Sequence, residues 1–261
     1  QRLPHCLAAE PDFLTKVRCD TRMDEIMLYQ AKSAGLQPTP KMHPTKKEYL
    51  HFSQTAKWFT REQCTRYFHG KVERDGRTER VLMELCNQSQ LVTRWWLWKD
   101  QKIRIYSCKR RGRGRENLNL IQHGLRATEA IIRLYRSDTR GAMLADKDYS
   151  GKPNMPDGAI RYPNGRELLI EYSSANNLRS FLKRKIEKYE EWLDEKKTVL
   201  CVCDSHEETL KRYLSNYHPN GWFYFTSWQK FIQVPYGQQL SAPIYFWDSD
   251  PTPRRLGEDH E

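Results

Sequence analysis

Long apolar runs are missing from this 261-residue sequence. No stretch reaches the roughly 18 to 20 residues that a membrane-crossing helix requires, and no signal-peptide pattern opens the chain. A membrane partner is therefore not expected. Cys-x-x-Cys pairs are missing too. The seven cysteines are odd in number and scattered, without the His and Cys spacing of a zinc site, so free thiols in a reducing, cytoplasmic compartment are expected. No heptad marks a dimer seam, although a second copy of the chain is an allowed partner. Acidic residues are in the minority. Lys and Arg total 44 against 33 Asp and Glu, for a formal net charge of +11 and a pI near 9.3. That balance suits a polyanion.

What is present divides into four stretches. Residues 1–44 read as an N-terminal helix, starting near Asp20 and stopping at Gly35, and a linker with Pro38, Pro40 and Pro44. Residues 45–116 hold sharper signals. Thr45-Lys46-Lys47-Glu48 and Thr60-Arg61-Glu62-Gln63 are capping boxes, each opening a helix, and Gly70 ends the second one. A third helix is expected over about Gly76–Gln90, burying Val81, Leu82 and Leu85 and presenting Arg77, Glu79, Arg80, Glu84, Asn87 and Gln88. Two strands follow, Val92–Lys99 and Lys102–Cys108, with Trp96, Trp98, Ile103 and Ile105 expected to alternate against Arg94 and Arg104. Three helices and a hairpin are the order of a winged helix-turn-helix, in which the third helix enters the major groove of DNA. After the ribbon come Lys109, Arg110, Arg111, Arg113 and Arg115, with glycines between them that let a backbone follow phosphates. Double-stranded DNA is the expected partner, met by Arg77, Arg80, Asn87, Gln88, Arg94 and the 109–115 run. The alternative is a winged helix that binds another protein.

Residues 117–247 read as an α/β unit, and 248–261 as a loosely docked tail. A helix is expected over Asn119–Arg136, then a loop, Asp138–Asn154. Asp157 enters an apolar strand at Met155-Pro156-Asp157-Gly158-Ala159-Ile160, Pro163-Asn164-Gly165 makes a turn, and Leu168-Leu169-Ile170-Glu171 forms the return strand. A helix over Phe181–Lys196, a strand over Val199–Cys203, a helix over Glu207–Asn216 and a strand over Gly221–Phe225 complete the unit. This layout resembles the PD-(D/E)xK nucleases, where Asp, Glu and a Lys two positions after the Glu line one sheet edge. The resemblance implies a Mg or Mn ion held by Asp157 and Glu171, with Glu129 as a third carboxylate. Ser173 stands where the Lys belongs. The Lys would have to come from the next helix, as Lys183, Lys185 or Lys188, with Lys185 the catalytic choice. An inactive scaffold and a metal-dependent endonuclease or nickase both remain open. The expected fold class is α+β, a winged helix followed by a nuclease-like α/β domain.

A second resemblance rests on Pro156-Asp157-Gly158, the strand ending in Glu171, Lys185 and Tyr189 four apart, His123 in the connecting helix, and Phe225-Thr226. In that order these motifs resemble the replication-relaxation family of plasmid and mobile-element proteins, over residues 45–232. The departure is Tyr172-Ser173-Ser174-Ala175, where the family has an acidic residue and Gly-Thr. The resemblance implies a DNA-binding protein serving replication or maintenance of a mobile element.

Overall fold

The structure is a computed structural model that describes residues 44–70, 76–98, 101–108, 118–137, 141–144, 146–152, 155–174, 184–185, 187–194, 196–205, 212, 223–233, 236, 245–246 and 254–255. The expected N-terminal helix and the basic run 109–115 lie outside these residues. So do Lys183 and, apart from Arg212, the helix expected over Glu207–Asn216. The chain is mixed α+β.

Helix α1 (Lys46–Thr55) and helix α2 (Arg61–His69) both begin in the capping boxes that the sequence spells out. Thr45 and Thr60 accept from the amides three residues on, and Glu48 and Gln63 return the bond. Gly70, at φ +76°, closes α2 in the left-handed conformation that glycine adopts without strain. Helix α3 (Gly76–Asn87) buries Thr78, Leu82 and Leu85. Strands β2 (Leu91–Trp98) and β3 (Gln101–Cys108) form an antiparallel ribbon, and β1 (Phe59–Thr60) pairs with the far side of β3. One face of the ribbon is covered by Trp58, Ile121 and Leu125, which pack with Trp96, Ile103 and Ile105. The expected alternation fails at one residue. Positions 94 and 96 share a face in any period-2 strand, so Arg94 lies beside Trp96 with its guanidinium 5.8 Å from the Trp58 ring centre. The outward face carries Trp95 and Leu97, which stand opposite Arg104 and Lys102.

Helix α4 (Leu118–Ser137) leads into a seven-stranded sheet. Its strands are β4 (Ala142–Leu144), β5 (Gly158–Arg161), β6 (Glu167–Ser174), β7 (Lys197–Asp204), β8 (Phe223–Ser227), β9 (Tyr245–Phe246) and β10 (Arg254–Arg255), and they lie side by side in sequence order. The middle three, β6, β7 and β8, are parallel, and every other pairing is antiparallel. The β5–β6 turn is the expected Pro163-Asn164-Gly165, closed by Gly165 N–H donating to Tyr162 O at 2.9 Å, with Gly165 at φ +78°.

Three expectations change. The loop 138–154 contains β4 and a 3-10 turn, Asp146–Tyr149; three residues are too few to show a period. The helix expected to reach Lys196 ends early. Helix α5 is Glu187–Glu190, and Asp194 diverts the chain by accepting the Lys196 amide at 2.9 Å. Finally, Arg254 and Arg255 of the expected tail pair with β9.

Alternation gives the sheet two apolar faces, as a parallel centre requires. Ile160, Leu168, Ile170, Leu200, Val202 and Tyr224 join Ile131 and Leu134 of α4 and Tyr49, Phe52 and Leu85 of the first helices in one core. That core is continuous across position 116. Ala159, Leu169, Val199, Cys201, Phe223 and Phe225 face the other way, against Tyr149 and Tyr189.

Candidate functional site

The strand ends of β6, β7 and β8 and the entry to β5 lie at one edge of the sheet, the carboxyl edge of its parallel strands, where open α/β sheets commonly bind ligands. Asp157, immediately before β5, is only 3% exposed. One of its oxygens, Oδ1, accepts from Lys57 Nζ at 2.6 Å. The other, Oδ2, accepts from His123 Nε2 at 2.8 Å and from the Tyr172 amide at 3.0 Å. Burial opposes charge on this carboxyl, but Lys57 and the His123 hydrogen bond overcome it and hold Asp157 well below the usual carboxylate range. An ionised acceptor fixes the tautomer, so Nε2 carries the His123 proton.

Glu171, near the end of β6, is completely buried. It accepts from Lys185 Nζ on one oxygen and from the Tyr189 hydroxyl, at 2.5 Å, on the other. Burial and the neighbouring Asp157 charge push Glu171 up to about 7, against the pull of Lys185. Burial presses Lys185 toward losing its proton, but Glu171 and Asp157 prevail and raise it above its ordinary value, so it stays charged. Two carboxyls in adjacent positions are thus driven apart, one firmly ionised and one titrating near neutrality.

Local folding explains most of this arrangement. Gly158 lets β5 press onto α4, since a Cβ there would lie 2.1 Å from Ile131 Cδ1. Gly124 lets α4 approach the first unit, since a Cβ there would lie 3.1 Å from Trp58 Cδ1. Those two contacts put His123, Lys57 and Asp157 together. Beside them, Arg126 donates to the Tyr172 hydroxyl at 2.5 Å and to Asp204 at the end of β7. The same guanidinium lies 5.4 Å from the Trp228 ring centre.

Of the residues singled out by sequence, Asp157, Glu171 and Lys185 meet here, Lys188 is exposed, and Ser173 is buried one alternation beyond Glu171. Glu129 does not meet them. Six residues from His123 is roughly 240° around a helix, and Glu129 instead takes bonds from Gln63, Arg133 and Tyr236. Arg77, Arg80, Asn87 and Gln88 are exposed along α3 and its end. Sequence reading missed Lys57, which lies 100 positions from its partner, and placed His123 in the connecting helix without pairing it to Asp157; the helix-interior Gly124 was the one local sign of a close approach.

A divalent cation does not fit this donor set as arranged. Every oxygen of Asp157 and Glu171 already accepts from a protein donor. Among the described residues no group of three or more His, Cys, Asp or Glu is placed to hold one ion.

No known protein family, curated protein or solved structure gives a significant match to this chain. Among the described residues no helix is long and apolar enough to cross a membrane.

Proposed function

We propose that this chain is a duplex-DNA-binding protein acting in the replication or maintenance of a plasmid or mobile element. In this reading α1, α2, α3 and the β2–β3 ribbon are a winged helix, and the seven-stranded unit is a nuclease-like frame that no longer cleaves. The observation that carries it is the outer stripe of α3. Arg77, Arg80, Asn87 and Gln88 fall within about 100° of arc at 3.6 residues per turn, and these are side chains suited to base edges and phosphates. The two acids that interrupt the helix are neutralised within the protein, Glu79 by Arg61 and Glu84 by Lys46. A net charge of +11 supports the same partner. The inactive frame is supported by Lys57 and Lys185, which lie against the two carboxylates where a nuclease needs a metal.

Anisotropy titrations of a labelled duplex over a range of salt test the docking. Replacing Arg77 and Arg80 by Ala should weaken binding and flatten the salt slope by about 0.9 per lost phosphate contact. An unchanged affinity and slope would remove α3 from the interface. Supercoiled plasmid incubated with Mg²⁺ or Mn²⁺ should be retarded and uncut. Nicking that is lost in Asp157→Asn would instead establish the nuclease reading.

A further inference from the structure

A second feature lies outside the carboxylate cluster. Between the ribbon, α2 and α4 runs an open cleft of about 860 Å³, within the size range of ligand-binding pockets. One wall is the outward face of the ribbon. There Trp95 is 56% exposed, with Arg104 4.6 Å and Lys102 5.2 Å from its ring centre. Trp228 also lines the cleft, partly buried, with Arg126 5.4 Å from its ring centre. Six cationic and three acidic side chains line the space. All three acids are engaged by arginines, Glu62 and Glu79 by Arg61 and Glu129 by Arg133. Lys102 and Arg104, by contrast, have no carboxylate partner among the described residues. The cleft therefore offers excess positive charge beside an exposed indole at Trp95, with the partly buried Trp228 also in its lining.

Trp95 and Leu97 are both exposed on the same face of β2, and an exposed apolar patch beside polar groups is the kind of surface that marks interaction sites. A duplex cannot exploit this surface, because its bases are stacked on one another and only their edges reach the grooves. Unpaired bases can. Each has a π-face for Trp95 or Trp228, and its phosphate can be met by Lys102 or Arg104, the pairing of stacking platform and cationic track that single-strand binders use. We propose that this cleft takes unpaired DNA, with Trp95 as the stacking platform and Lys102 and Arg104 as phosphate contacts. The proposal rests on the reading of the chain as a DNA-binding protein and adds a second mode to it. The duplex meets α3, and an opened or frayed strand enters the cleft.

The test uses the full chain and two labelled probes, an oligo-dT of about 16 nucleotides, the upper end of single-domain site sizes, and a hairpin duplex. The wild type should bind both. Trp95→Ala should weaken oligo-dT binding about fivefold or more, the lower end of one lost base stack, while duplex affinity stays within about twofold. Trp95→Phe should restore most of the loss, and Lys102→Gln should flatten the salt dependence for oligo-dT alone. Trp95 is exposed, and circular dichroism checks that each variant folds. Duplex binding without oligo-dT binding, or oligo-dT binding indifferent to Trp95→Ala, overturns the cleft proposal and leaves the duplex reading standing. A cleft that ignores oligo-dT but binds polyglutamate through Trp95 is a protein-docking site, which also overturns it. If neither DNA binds, both readings fall.

Discussion

Glu171 has no exposed surface, and its proton becomes part of the stability of the protein. In the unfolded chain this carboxyl ionises near 4.5, whereas burial and the Asp157 charge move it to about 7 in the folded state. Between those values the folded protein holds a proton that the unfolded chain has released. Raising the pH through that window therefore removes stability, by roughly 3 kcal/mol at full extent. Asp157 acts in the opposite sense. Its folded value is depressed, so its contribution is present above the ordinary carboxyl range and lost in acid. Urea titrations between pH 4.5 and 7.5 should show wild-type stability falling with pH, and Glu171→Gln should remove most of that slope. An identical slope in the variant would mean that Glu171 ionises freely. Asp157 and Glu171 were legible because a short motif with a turn between them is local. Lys57 was not, because nothing near Lys57 signals a carboxylate 100 positions away, and only folding brings α1's exit to β5.

At the level of elements, the glycine after Asp157 decides how closely helix and sheet pack. A methyl group at residue 158 would meet Cδ1 and Cγ1 of Ile131 at 2.1 and 2.4 Å, and Ile131 is itself fully buried on α4. Gly158→Ala should destabilise the protein by about 1 to 3 kcal/mol through overpacking, read as a lower urea midpoint. Gly158→Ala combined with Ile131→Val should recover part of the loss, and a double variant no better than the single one would place the strain elsewhere. Elements with strong local chemistry were readable in advance. Two capping boxes, the Gly70 stop and the Pro163–Gly165 turn each satisfy their own backbone groups within a few residues. Elements defined by distant partners were not, as β4 and β10 exist only because β5 and β9 offer them a ladder. The Arg94 face was readable and misread, since simple parity puts it with Trp96.

At the scale of the whole molecule, the shared core makes the two halves one cooperative system. Tyr49, Phe52 and Leu85 pack in the same cluster as Ile131, Ile160 and Leu200, and the Lys57–Asp157 pair joins the halves at the sheet edge. Neither half keeps its apolar surface covered without the other. Thermal unfolding followed by tryptophan fluorescence and by far-ultraviolet dichroism should therefore give coincident transitions; two separated midpoints would show that the halves unfold independently. The large sheet has one more property, which concerns its neighbours in solution. Among the described strands its outermost members are β4, of three residues, and β10, of two. A strand that short presents few unpaired amides and carbonyls to a passing chain, so the longest and most apolar strands, β6 and β7, lie where no foreign strand can add to them. The brevity of its margins thus guards this sheet against edge-to-edge pairing, whereas in the smaller sheet the eight-residue β2 is itself an edge.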